Sequence, residues 1–465
     1  MGQDARTMDA LAPVPHGAAG PEAHDACPKP EHTGALFGRQ WPVGPTPTGK
    51  LAAHTEWGAS MPSPAQLPPS YWSAFHDRAS TGIGGGAYPR VLSQPASARV
   101  YRVRKSGANG EFATITQALA QWNLDKRSIA GPLAAVIELD DSGTYHEAPA
   151  FLIEPGEYLQ LRAAHMARPV LRSAHGEQAG GHGLVVRGGA GSRFILDGIL
   201  LTGGALDIAS AHSCAQRAPG GPRFSVRLRH STLVPGWDPD SMRRAPWRGP
   251  ASIALHGAAL ALHIEHCVLG PVRVMDRVTA GTVSAQVLQL HVGDSIIDGG
   301  HEAALAISDG AYGPALASAD FCRVTVIGAL QLHQLGWAEN SVFLGAVLVA
   351  HSGAGCLSYC YLAPGSRTPL RTHCQPELAQ GQGADAEREA LRVRPRYVSL
   401  RYGAPGYARL APDCAPEITC GADDGSALGA FHHQQDQHQH QHQHHQQRQA
   451  GPIAPASPGQ PLARS

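Results

Sequence analysis

Three aspartates in the apolar middle of the chain, Asp197, Asp298 and Asp320, are the carboxylates with which this sequence could do acid–base chemistry. An enzyme built on these groups should show two or more carboxylates and an arginine within reach on one groove. Asp197 and Asp298 each stand directly before a glycine, where Asp commonly bonds its own turn, so both read as turn residues. No cluster of aspartates with a basic arginine, of the kind that holds Ca²⁺, can be assembled from the spacing. The expectation is a chain with no complete catalytic site, no cofactor-binding residue and no cofactor. The three aspartates are kept only for an enzymatic alternative.

Other groups could bind rather than react. His438, His440, His442 and His444 alternate with glutamine, and His445 adds a fifth imidazole. Such a row can ligate Ni²⁺, Cu²⁺ or Zn²⁺ loosely. The tract has almost nothing apolar to offset ordering entropy, however, and reads as disordered with no assigned metal. Cys356 and Cys360 have a spacing that zinc sites use, whereas Cys414 and Cys420 do not. Buried thiols or one disulfide are the preferred reading. Arg367, Arg371, Arg392, Arg394, Arg396 and Arg401 form a basic stretch, and Glu387 and Glu389 lie close enough in sequence to make it an ion-paired face. Gly82–Gly86 (GIGGG) lacks the Gly-Lys-Ser/Thr ending of a phosphate loop and reads as a flexible turn.

Composition narrows the partners. Lys+Arg and Asp+Glu are both 37, so the formal net charge is zero and the usual electrostatic case for nucleic acid or an anionic membrane is missing. No run of 18 apolar residues is present, and no membrane insertion is expected. The first residues have no apolar core of a secretion signal. The nine cysteines are odd in number and scattered. Cytoplasmic synthesis with mostly reduced thiols follows, compatible with later release as part of a particle.

The elements that must position these groups come from a repeat. Short apolar runs end at a glycine: ILLTG, TLVPG, CVLG, SIIDG, VTVIG, SVFLG and YLAPG, with glycine spacings of 33, 34, 29, 29, 17 and 20. Two residues before each glycine stand Leu201, Val234, Val268, Ile297, Val326, Phe343 and Ala363, all apolar. Polar residues precede several runs: His230, His266, Asp294 and Asn340. The runs are too short for helices and too apolar for a sheet with one wet face. Stacked parallel strands bury them, with a glycine at each corner and loops of unequal length leaving the corners. A propeller would need more regular blades, and a β-sandwich would leave the phasing accidental.

The chain is therefore predicted to be all-β, a right-handed parallel β-helix with an N-terminal capping helix and irregular extensions at both ends. Residues 1–98 form a Pro/Gly-rich arm, with local packing around Tyr71, Trp72 and Phe75. Residues 99–365 form the β-helix, 366–431 a cysteine-bearing segment packed on it, and 432–465 a disordered His/Gln-rich tail. The cap is read from Thr114 as N-cap and from Ile115, Ala118, Leu119 and Trp122 on one helical face.

Asn109, Gly110, Glu111, Phe112, Thr114, Ile115 and Ala118, then Gly143, Tyr145 and Glu147, resemble the opening of pectin methylesterase-like β-helices of the pectin lyase fold. The resemblance implies the fold. Activity in that family needs an Asp pair, a Gln-Asp motif and an arginine from Leu-Gly-Arg-x-Trp. Asp320-Phe321 is similar to the second Asp, but Ile-Phe-Gly does not follow. Gly38-Arg39-Gln40-Trp41 is similar to the arginine motif but precedes the cap. The only Gln-Asp pairs, Gln3-Asp4 and Gln435-Asp436, lie in the terminal segments.

Pro364–Pro369, Cys374–Pro376, Arg401–Ala408 and Gly421–His432 resemble an uncharacterised bacterial family associated with phage-tail-like and contractile injection gene clusters, with Leu428 in place of the family's Met. The resemblance spans roughly 200–433. The family usually continues with an amphipathic Leu/Arg-rich segment, where this chain has its His/Gln tract. It implies a non-catalytic structural or accessory protein of such a particle, partnered by other particle proteins or by itself as an oligomer. The alternatives are a carbohydrate-active β-helix enzyme, pectinesterase- or lyase-like, and a glycan-binding module. A binder would expose aromatics such as Trp237, Trp247 or Trp337 along a groove.

Overall fold

The computed structural model describes residues 82–107, 111–129, 131–173, 182–210, 221–233, 251–276, 287–311, 313–380, 385–404 and 406–432. Within them the chain winds into a right-handed parallel β-helix. A coil contributes three strands, as in Arg193–Asp197, Leu200–Thr202 and Ala205–Ser210. Every pairing between named strands is parallel and joins one coil to another, the consequence of burying apolar runs on a stack. The first and third faces merge into an 18-stranded sheet, and the second face forms a separate 9-stranded one.

The interior column of the second face is Tyr145, Leu171, Leu201, Leu233, Leu269, Ile297, Val326, Phe343 and Leu362 in unbroken register. All nine are buried. Leu201, Ile297, Val326 and Phe343 stand where the glycine alignment places them. Val268 does not: it pairs with Thr232 and Ile296 and points outward. Leu362, rather than Ala363, holds the last place in the column. Val234 lies outside the described residues. The glycine fails as a register mark because its distance from the inward residue varies from one run to the next.

The sharp corner lies at the other end of each run. His230, His266, Asp294, Arg323, Asn340, Tyr359 and His373 all have φ between 45° and 55°. These include the polar residues noted before the runs. A left-handed conformation costs a non-glycine residue energy, and stacking between successive corners offsets part of it. The rings of His230 and His266 lie 4.9 Å apart and nearly parallel, and those of Tyr359 and His373 5.0 Å apart. Arg323 donates two hydrogen bonds to Asp294, at 2.6 and 2.7 Å.

Helix α1, Ile115–Ser128, closes the first end with Ile115, Ala118, Leu119 and Trp122 buried, and Thr114 Oγ1 accepts from Gln117 N as its cap. Glu147 completes that cap. Its carboxylate accepts from Ile115 N at 3.0 Å and Thr116 N at 2.9 Å, satisfying donors that a helix start leaves open. The Gly-x-Tyr-x-Glu pattern is thus structural: Tyr145 fills the column and Glu147 holds the lid.

The chain's own ends cover the second face. Ile83, from before the β-helix, and Tyr402, Tyr407, Ile418 and Leu428, from after it, form one apolar cluster with Val268, Ile296, Ile327 and Val342. The GIGGG segment is not a flexible turn. Ile83 to Gly86 are buried, Gly84 N donates to His266 O at 2.7 Å, and a Cβ on Gly84 would stand 2.6 Å from Thr232 Oγ1. Its glycines serve close approach. Tyr71, Trp72 and Phe75 lie outside the described residues. No helix among the described residues is long and apolar enough to cross a membrane.

Candidate functional site

The outward residues of the first face form two columns, one residue per coil. The first reads Glu138, Arg162, Asp197, Arg229 and Glu265, in register and alternating in sign. Arg162 donates to Glu138 at 2.8 Å. Arg229 Nη1 stands 3.9 Å from Asp197, and its Nε 3.8 Å from Glu265. Arg90, from the N-terminal segment, brings its Nε to 3.7 Å from Asp197. Asp197 is wholly buried, and burial raises its pKa against the pull of Arg229 and Arg90. Its oxygens accept no hydrogen bond, so it does not bond its own turn as the Asp-Gly reading expected. Its partners are cations stacked above, below and beside it.

The second column reads Arg227, His263, His291 and Asp320. The His263 and His291 rings stack at 4.8 Å and 16°. His291 Nδ1 lies 2.9 Å from Asp320 Oδ2, an ion-pair approach that is off line for a hydrogen bond. Burial first, then His291 and Arg227, pull the pKa of His263 down to about 3, so that ring is neutral at physiological pH. The strand opposite bulges at Asp320, where a Cβ on Gly336 would fall 2.5 Å from its carboxylate. The bulge and the bare glycine make room for Asp320. Arg227, His263, His291 and Asp320 are all only partly covered, unlike the outward residues of the second face.

The three aspartates do not converge. Asp197 and Asp320 share a face but lie four strand pairings apart, about 19 Å at roughly 4.8 Å each. Asp298 is on the second face, where Tyr407 Oη donates to it at 2.8 Å and Gly300 N at 2.7 Å. Asp298 is the turn residue its sequence suggested, and it anchors the C-terminal segment as well.

Trp337 is buried with Cys322 and Cys356, not exposed for stacking on a ligand. Trp237, Trp247 and His438 to His445 lie outside the described residues. The Cys356/Cys360 pair is not a zinc pair. The corner at Tyr359 separates them, Cys356 is disulfide-bonded, and Cys360 points into the main core. Among the described residues, Cys267, Cys360, Cys374, Cys414 and Cys420 carry free thiols, all but Cys420 buried. Four arginines of the stretch are ion-paired: Arg371 with Glu377, Arg392 with Glu389 and Glu417, Arg394 with Glu302, and Arg396 with Asp413.

Among the described residues, Asp423, Asp424 and His432 are the group whose donor atoms lie close enough to share an ion. Each already has protein partners. Asn340 and Asp423 bond each other twice, at 2.8 and 3.1 Å, Ser426 N donates to Asp424, and His432 Nδ1 is 2.9 Å from Ala427 O. The motif at 421–432 latches the C-terminal segment to a corner of the β-helix.

Sequence reasoning found Asp320 but missed His263 and His291. The available signal was the shared pattern of LALHIE and LQLHVG, in which alternation turns the histidine outward at the same place.

These features define the class, a right-handed parallel β-helix protein with one face covered by its flanking segments and one carrying a partly open polar column. No family model matches the chain, and no curated protein matches its sequence. Among solved structures, the crystal structure of pectate lyase Pel9A is similar at a TM-score of 0.33 and 12% identity, over 72% of this chain and 96% of that one. Similarity at that level carries nothing about activity.

Proposed function

We propose that this chain is a non-catalytic β-helix scaffold, a structural or accessory part of a phage-tail-like contractile particle, presenting its first face to a partner. The observation that carries the non-catalytic reading is the dispersal of its carboxylates. Asp197 is enclosed by arginines, Asp298 is bonded by Tyr407, and Asp320 has a histidine for company but no second acid of the trio. A stack held by continuous ladders is a stiff support. The particle assignment leans on the resemblance of roughly 200–433 to its family, whose most specific motifs lie after 364. The motifs of that region latch the chain to itself, through Tyr407 on Asp298 and Asp423 on Asn340.

The test is co-purification. Particles from cells producing a tagged chain should carry it through a density gradient with sheath and tube proteins. A chain found only in the light fractions, with no such partner, would overturn the particle assignment. The half-covered column of Arg227, His263, His291 and Asp320 also favours a second reading, a glycan-binding face. Co-sedimentation with insoluble polysaccharide, abolished by His291→Ala with Asp320→Ala, would support that reading instead.

A further inference from the structure

Each coil places one small side chain just after its left-handed corner. From Ile199 onward these are Ser231, Cys267, Ser295, Val324, Ser341, Cys360 and Cys374. The hydroxyls knit the stack. Ser231, Ser295 and Ser341 each donate to the carbonyl two residues earlier, at 2.6–2.8 Å, and each accepts an N–H from a neighbouring coil. The cysteines copy the first of these bonds: Cys267, Cys360 and Cys374 point their sulfurs at the carbonyls of Glu265, Ser358 and Thr372. Cys267 is flanked by Ser231 and Ser295 in this column. Cys360 lies between Ser341 and Cys374, so here two cysteines are adjacent.

These two thiols stack at the last step of the β-helix. Tyr361 pairs with Gln375 in parallel register, and Gln375 N donates to Cys360 O at 2.7 Å. In that register Cys360 and Cys374 are neighbours across the last step. In-register residues on adjacent strands lie about 4.8 Å apart, inside the range of roughly 4.4–6.8 Å between Cα atoms that a disulfide needs. The terminal strand Leu370–Thr372 has a ladder partner on one side only, so this coil should open more readily than those inside the stack.

We propose that Cys360 and Cys374 form a reversible dithiol–disulfide pair that staples the last two coils, with a small-molecule disulfide such as oxidised glutathione as electron acceptor. The Cys374 thiolate attacks one sulfur of the acceptor and expels the other as a thiolate, leaving a mixed disulfide. Cys360 then loses its proton and attacks the Cys374 sulfur, and the second acceptor thiolate leaves. Two protein thiols are oxidised and one small disulfide is reduced to two thiols. The neighbouring Cys360 thiol lowers the Cys374 pKa against its burial, whereas burial raises that of Cys360. The outer cysteine is thus the attacking one.

The full chain is exposed to oxidised glutathione, its free thiols are alkylated, and it is digested with trypsin, which cuts between the two cysteines after Arg367 and Arg371. The expected result is a disulfide-linked peptide pair that dithiothreitol reverses. It is retained in Cys356→Ser, which shares a tryptic peptide with Cys360, and lost in Cys360→Ser and Cys374→Ser. Serine already fills equivalent places at 231, 295 and 341, so these variants should fold. If one does not, the wild type and Cys356→Ser still decide. Glutathione on exposed Cys420 with no linked pair in the wild type would overturn the proposal, and so would a link that persists in Cys360→Ser.

Discussion

The first and second faces of this β-helix are built from the same coils and turn opposite surfaces outward. The second presents Val268, Ile296, Ile327 and Val342, and the chain folds both of its flanking segments over them. The first presents Arg227, His263, His291 and Asp320, and leaves them partly open. Inward residues are apolar on both, because the interior needs the same thing everywhere. The outward residues differ with what covers each face. Apolar residues are placed where the flanking segments cover the face, and the partly open polar ones where those segments leave it uncovered.

The largest expected effect lies on the covered face. Ile296→Asp should cost about 4 kcal/mol or more by burying an unpaired charge beneath the C-terminal segment. Gln289→Asp, exposed on the first face, should stay within about 0.5 kcal/mol. Urea unfolding of both variants checks this, and equal losses would break the distinction between the faces.

Acid should act on both faces. His230, under the N-terminal segment, and His263, on the bare face, are held neutral with pKa values near 3, in both cases foremost by burial. In the unfolded chain they take a proton below about 6.5. The unfolded state therefore binds more protons between those values, and stability falls as pH drops through that window. Each histidine contributes a slope of about 1.4 kcal/mol per pH unit. His263→Gln should flatten the slope measured by urea unfolding between pH 7 and 5 while His230 keeps its share. An unchanged slope would sink this assignment.

A smaller effect is expected at the anchor of the C-terminal segment. Tyr407→Phe removes the hydroxyl donor to buried Asp298 and should cost about 1–3 kcal/mol, seen as faster proteolytic release of residues after 380. Asp320→Asn should be the mildest, below about 1 kcal/mol, because its contact with His291 is misaligned and partly open to water. A larger loss there would mean that the bare face also holds the fold together.

The fold was legible because apolar runs such as SIIDG and SVFLG are both too short and too greasy for anything but a stack, and because Thr114 and the residues after it spell a cap. The register was less legible. The glycines drift against the inward residue, whereas the polar corner residues His230, His266, Asp294 and Asn340 keep step. The bare face was mostly hidden. His263, His291 and Asp320 are far apart in sequence, and only the ladder sets them side by side. Asp197 looked like a turn residue because its partners Arg90 and Arg229 come from a distant segment and a neighbouring coil.

A first face that binds without turnover is what we propose above. Purified protein incubated with polygalacturonate and with methyl-esterified pectin, assayed for new reducing ends, unsaturated products and methanol, measures this directly. The account predicts no product above the buffer control, identical for wild type, Asp197→Asn and Asp320→Asn. Product formed by the wild type and lost in Asp320→Asn would contradict it.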